Sequence, residues 1–153
     1  MAMKKRAMKK LEKSFDKLYE MKDGDKHHIP VEMKGGYTLY AGAVLYEGNE
    51  LTFGEADMLF GYETFYPVMK TRIEEVIAWG KPFSLGIERE EDGDVITLVK
   101  VKGGTVFVCN DFEVAGDKYD FFFDGVRIVK GVPKDIIVSM KKLTYEEVQQ
   151  LNW

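Results

Sequence analysis

The side chains with the most chemical reach in this sequence are two adjacent histidines, His27 and His28, a single cysteine, Cys109, and a surplus of carboxylates. A cysteine with a histidine could form a nucleophile and its base, and histidines with acids could hold a metal ion. The spacing argues against both. Neighbours in an extended segment point to opposite sides, so His27 and His28 are poorly placed to share one metal. No CxxC, HxH or HExxH pattern supports them, and a loop just before a strand is the expected setting. Cys109 alternates with Phe107 and reads as an inert core thiol.

The carboxylates are plentiful, so their pairing carries little. Asp25 followed by Glu32-Met33-Lys34 resembles the D…ExK arrangement of metal-dependent nucleases, in which acids hold Mg²⁺ and the lysine helps activate water. With this composition about one or two such triplets arise by chance, and Glu20-Met21-Lys22 is a second. Asp111 and Glu113, or Asp117, Asp120 and Asp124, lack EF-hand spacing and read as solvated turns. Gly35-Gly36 and Gly103-Gly104 read as turns between strands rather than phosphate cradles. The expectation therefore leans away from an enzyme, with no cofactor and no metal.

A chain of 153 residues suits one domain able to bury roughly 70% of its unfolded surface. Nothing approaches the ~18 consecutive apolar residues of a membrane span, no apolar segment follows the basic start, and one cysteine forms no internal disulfide. A cytoplasmic setting without membrane contact is expected. The net charge of −4 hides an asymmetry. Residues 1–13 hold Lys4, Lys5, Arg6, Lys9, Lys10 and Lys13 against Glu12 alone, a net of +5, so the other 140 residues carry about −9. Between Ala41 and Met69 there is no Lys or Arg, but Glu47, Glu50, Glu55, Asp57 and Glu63 are present.

The patterning predicts an α+β fold: a mostly antiparallel sheet of about seven or eight strands, an N-terminal helix over 2–22, a central helix over about 66–79 and a short C-terminal helix. Met8, Leu11, Phe15 and Leu18 form a helical seam. Met69, Ile73, Val76 and Ile77 mark the central helix, with Pro67 at its start and Gly80 past its end. Thr52 with Glu55, and Thr144 with Glu147, read as capping boxes. Pro30 places the first strand at an edge. Asp92-Gly93, Gly103-Gly104 and Asp124-Gly125 predict hairpins, in which Leu85 and Ile87 face the strand around Leu98, Leu98 lies opposite Cys109, and Phe121 lies opposite Ile128. Both faces of this meander are apolar and need cover. No linker, internal repeat or low-complexity segment is read, so 1–153 is one domain with a basic helix that could stand apart.

Two surfaces then carry function. The first is the acidic, aromatic stretch 46–66, with Glu47, Glu50, Glu55, Asp57 and Glu63 steering and Tyr46, Phe53, Phe60, Tyr62 or Tyr66 as anchors on a basic protein partner; Phe122, ringed by Asp120, Asp124 and Arg127, is a further anchor or else a covered side chain. The small, acidic, aromatic-rich character resembles that of toxin-neutralising immunity proteins and phage-encoded inhibitors, which implies a non-enzymatic binding module. The second surface is the basic helix, with Lys4, Lys5, Arg6, Lys9, Lys10 and Lys13 set to contact nucleic acid or to join a larger assembly such as a phage particle; a solubilising tail is its plainer reading. A homo-oligomer is compatible with the two-sided apolar sheet, and an enzyme with an unrecognised site is the third class.

Overall fold

The computed structural model describes residues 2–20, 27–59, 62–88 and 95–151. Helix α1 (Ala2–Glu20) forms where the apolar seam predicts it. Leu11, Phe15 and Leu18 are buried, whereas Arg6, Lys9, Lys10 and Lys13 stay exposed. Six strands follow: β1 (His27–Met33), β2 (Thr38–Ala41), β3 (Ala43–Glu47), β4 (Glu50–Leu59), β5 (Tyr62–Arg72) and, after a 3-10 turn at Ile73–Glu75, β6 (Val76–Trp79). A short β7 (Phe83–Ser84) leads to β8 (Ile96–Val101), β9 (Val106–Cys109), β10 (Asp111–Ala115), β11 (Lys118–Phe123) and β12 (Val126–Pro133). A second 3-10 turn, Lys134–Ile136, precedes β13 (Ile137–Leu143), and helix α2 (Tyr145–Gln149) comes last. The fold is α+β and mostly antiparallel.

The strands from β8 to β13 repeat those from β1 to β6. Lys34-Gly35-Gly36 between β1 and β2 recurs as Lys102-Gly103-Gly104 between β8 and β9, and Gly48 and Gly116 turn the next hairpins at φ 62° and 64°. The irregular bonds recur too. Met33 N donates to Tyr37 O as Val101 N does to Thr105 O, and Lys34 N to Glu75 O as Lys102 N does to Ile136 O. Ile73 N donates to Asn49 O as Lys134 N does to Asp117 O. A bulge at Val68, opposite Phe53-Gly54, matches one at Ile128, opposite Phe121-Phe122. An internal repeat is therefore present, against the sequence reading.

The halves are interleaved. One sheet runs β10-β11-β12-β2-β1-β6, with β7 beside β1, and the other runs β13-β8-β9-β5-β4-β3. Each sheet thus joins three strands of one half to three of the other, related by a pseudo-twofold axis. The chain passes between sheets at Gly42 and at its counterpart Asn110, whose amides donate to Gly54 O and Phe122 O. Because neither half completes a sheet alone, the two form one unit. The core lies between the sheets, where Phe107 meets Phe121 edge-on at 4.9 Å. Helix α1 closes one side: Phe15 stacks on Phe53 at 6.1 Å and Trp79 Nε1 donates to Ser14 Oγ at 3.0 Å.

Several expectations are corrected. No central helix exists over 66–79; that stretch is β5, a 3-10 turn and β6. Thr52 and Glu55 lie in β4 rather than capping a helix, whereas the Thr144–Glu147 capping box is present and opens α2. Two sheets replace the one expected. Strand β1 is flanked on both sides, and Pro30 fits because its ring nitrogen faces the gap between β6 and β7, where Gly80 N donates to Pro30 O. Asp92-Gly93 lies outside the described residues, but β7 pairs with β1, so Leu85 and Ile87 do not face β8. The Gly103-Gly104 hairpin forms one residue out of the expected register: Leu98 faces Val108 and Thr97 faces Cys109. Val99, Val101, Phe107 and Cys109 consequently share the buried face. The last hairpin pairs Phe123 with Val126 as expected, but the bulge sets Phe121 opposite Val129.

Candidate functional site: the acidic hairpin and its surroundings

The acidic stretch is a β-hairpin, not a helix pair. Strands β4 and β5 pair from Glu50–Arg72 out to Leu59–Tyr62. In the body they are held by neighbours, β3 against 50–54 and β9 against Met69 and Lys70. Beyond Gly54 and Pro67 they pair only with each other among the described residues. The equivalent hairpin of the second half ends at Phe123–Val126, the counterpart of the pair Glu55–Tyr66. The ribbon from Ala56 to Phe65 is therefore an extension with no pseudo-symmetric partner. It holds Asp57, Tyr62 and Glu63 on its strands; the side chains of these three lie outside the described set, as does Phe60 altogether.

At the base of the ribbon the predicted residues separate into two groups. Glu47 and Glu50 are exposed, and Tyr46 and Tyr66 are about half exposed. Glu50 reaches Lys70 at 3.5 Å, a surface pair worth little. The Tyr46 hydroxyl is tied to Glu12 of α1, which raises its pKa. Leu45, Glu47, Glu50, Thr52 and Lys70 border a depression of about 330 Å³. Phe53, in contrast, is buried under Phe15 and cannot be a surface anchor. Phe122 is only 1% exposed. Its ring is capped by the Arg127 guanidinium at 5.0 Å, which ion-pairs with Asp120 and with Glu88 at 2.9 Å. The hydrogen bond to Glu88 holds the Arg127 pKa up. This aromatic is covered, so the interface-anchor reading fails for it.

Glu55 has a different task. His28, placed in β1 rather than in a loop, is buried, and its Nε2 lies 2.7 Å from Glu55 Oε1 and 3.0 Å from Oε2. The contact joins the two sheets. Its Nδ1 is buried without a hydrogen-bond partner among the described residues. The pseudo-symmetric residues are Ile96 and Phe123, so an apolar pair in one half is a polar pair in the other. Glu55 also borders a cavity of about 500 Å³ with Tyr66, Val68, Ile96, Val108, Phe123 and Asp124, closed by Val148 and Leu151 at the chain end. No local pattern joins residues 27 positions apart, so this pair has no signature in the sequence.

Cys109 is buried, burial pushes its thiol pKa up to about 12, and neither it nor Asp111 borders the cavity that Glu55 shares. A thiol held protonated in this way is a poor nucleophile. No group of three or more metal-ligating side chains occurs among the described residues, and Asp25 of the D…ExK reading lies outside them. No described helix is long and apolar enough to cross a membrane. On α1, Lys10 and Lys13 border an open depression of about 440 Å³ with Ser14, Ile77, Ala78 and Trp79; Lys4 and Lys5 belong to the same helix, their side chains outside the described set. Comparison of the chain with models of protein families, with curated proteins and with solved structures returned no match.

Proposed function

We propose that the protein is a non-enzymatic binding module that docks its acidic β4–β5 hairpin on a basic protein partner, in the manner of an inhibitor or immunity protein acting in the cytoplasm. The observation that carries this reading is the ribbon beyond Gly54 and Pro67, a segment that the pseudo-symmetric body does not need for its own pairing. No cation lies between Ala41 and Met69 to offset its acids. Glu47, Glu50, Asp57 and Glu63 steer the encounter, and Tyr46, Tyr66, Phe60 and Tyr62 supply aromatic anchors. Glu55, Phe53 and Phe122 leave the contact set because they serve the interior.

The test is retention of lysate proteins on the immobilised full chain, with nuclease added, compared with a variant carrying Glu47→Lys, Glu50→Lys and Glu63→Lys. One stoichiometric basic protein, released by moderate salt and absent from the variant at an unchanged Tm, is the expected result. Equal retention by both proteins would reject it.

A second reading uses α1 as a nucleic-acid or assembly contact. It is favoured by the way Leu11, Phe15 and Leu18 fix the helix and leave Arg6, Lys9, Lys10 and Lys13 outward. Deleting 1–13 would remove Leu11 from the core, so Lys9→Gln, Lys10→Gln and Lys13→Gln together are the better probe. Phosphate contacts predict a steep salt dependence whose slope falls by about 2–3 in the triple variant. A flat salt response would exclude them.

A further inference from the structure

The pseudo-twofold relates two sheet faces that are finished differently. In the first half, Val44, Tyr46, Leu51 and Phe53 form one face of the β3–β4 hairpin, since Val44 pairs with Phe53 and Tyr46 with Leu51. Helix α1, packed over β1 and the Ile73–Glu75 turn, reaches this face with Phe15 on Phe53 and Glu12 on the Tyr46 hydroxyl, and Leu51 and Phe53 are fully buried. In the second half the same positions are Phe112, Val114, Tyr119 and Phe121, paired in the same way in β10–β11. Phe112 stacks on Tyr119 at 5.8 Å and 6°, and both rings touch Phe121. Phe121 is buried against Phe107, but no described element covers the outer part of this face: Phe112 remains 44% and Val114 51% exposed.

We infer that the β10–β11 face is a docking site for an amphipathic helix of a different protein, one that presents apolar residues four and three apart as Leu11, Phe15 and Leu18 do on α1. The occupant's shape is argued from the molecule itself, because a helix of this pattern already sits on the equivalent face. The described residues hold two such faces and one such helix, so a second copy could lend α1 only by uncovering its own Phe53, and the helix comes from another protein. The end of the hairpin carries both signs, with Lys118 and Lys134 beside Asp117 and Asp135, all exposed. The apolar seam rather than net charge therefore selects the helix, and an exposed aromatic patch of this kind is what a partner buries. This site does not depend on the hairpin reading above.

The probe is a fluorescent synthetic peptide with the sequence of residues 2–20, titrated into the full chain and into Phe112→Asp and Ile87→Asp variants. Ile87 is an exposed apolar residue beyond β7 and serves as the control. Saturable one-to-one binding that changes little with salt, weakens at least tenfold in Phe112→Asp and persists in Ile87→Asp supports the site; Phe15→Ala in the peptide should weaken it similarly. Thermal melts confirm that Phe112→Asp is folded, and a photoreactive residue at Val114 should crosslink the peptide if it is. Absence of saturable binding overturns the inference. So does binding equal in both variants, which would mean the peptide only displaces α1, and so does a dimer of the peptide-free chain that Phe112→Asp dissolves.

Discussion

The two halves of this molecule share a strand order, a bulge and a set of turn bonds, yet they are finished with different chemistry. The first half spends α1 on its open face, extends its central hairpin into a free ribbon and joins the sheets with His28 and Glu55. The second leaves Phe112 and Val114 in solvent, stops the same hairpin at Phe123–Val126 and has the apolar residues Ile96 and Phe123, which border one cavity, at the positions of His28 and Glu55. What repeats is what the backbone requires: glycines at positive φ, amides satisfied at the 3-10 turns, alternation of buried side chains. What differs lies on surfaces that the duplicated frame leaves free, and there the functional proposals sit.

The largest contrast concerns the covered and uncovered faces. Phe15→Ala should cost about 3–5 kcal/mol, because it opens a cavity over Phe53 in a packed interior. Phe112→Ala should cost about 1 kcal/mol, since that ring is already half solvated. Urea unfolding of both variants measures the pair, and equal losses would mean the faces are not finished differently after all. Next comes the bulge. A Cβ added at Gly54 would collide with the Tyr66 carbonyl oxygen, because the ribbon continues past this point, whereas its counterpart Phe122 holds a whole ring. Gly54→Ala should therefore destabilise by about 1–3 kcal/mol. A neutral result would show that the ribbon base relaxes freely.

The sheet-joining pairs give a smaller effect with a sharper sign. Glu55→Ala leaves the buried His28 Nε2 without its partner and should cost about 1–3 kcal/mol. Copying the other half, His28→Ile with Glu55→Phe, removes both polar groups together and should restore stability to within about 1 kcal/mol of the parent. If the double variant is worse than the single, the polar pair has a role that an apolar one cannot fill, and the cavity bordered by Glu55 becomes the place to seek it.

How much of this was legible depended on whether the signal was local. The α1 seam, the Asp124-Gly125 turn and the Thr144–Glu147 box are contained in a few adjacent residues, and the structure has each of them. The false central helix has a definite cause. Met69 and Thr71 of β5 and Ile73 at the start of the 3-10 turn are buried at a period of two, and the turn then delays the next inward residue to Val76. Apolar residues at 69, 73 and 76 mimic helical spacing, because the inward residue between the first two is a polar one, Thr71, satisfied by Thr105 at 2.7 Å. The repeat escaped notice because few identities survive beyond the Lys-Gly-Gly turns. In the candidate site, acidity and aromatic content were visible, but which residues face inward was not. The burial of Phe53 and the engagement of Glu55 are decided by α1 and His28, both distant in sequence, and the cover on Phe122 depends on how Arg127 of the next strand folds over it. Asp111-Phe112-Glu113-Val114 alternates plainly, yet only the covered twin makes its exposure meaningful.

Cys109 offers the mildest test of the comparison. Its counterpart is Ala41, equally buried, so the second half carries a titratable group where the first has none. Burial raises the folded thiol pKa from 9.0 to about 12. Below pH 9 the thiol is protonated in both states and stability is unaffected. Between pH 9 and about 12 the unfolded chain loses the proton while the folded one keeps it, so stability falls as pH rises, by about 1 kcal/mol at pH 10. Cys109→Ala, which copies the first half, should lose up to about 1 kcal/mol at pH 7 for the vacated volume but show a flatter decline between pH 9 and 11. The native thiol should also resist alkylation at pH 8 and react only as the protein unfolds. Parallel pH profiles for the parent and the alanine variant, or rapid labelling of the folded protein, would mean that Cys109 reaches solvent and that the two halves are less alike inside than their strand order indicates.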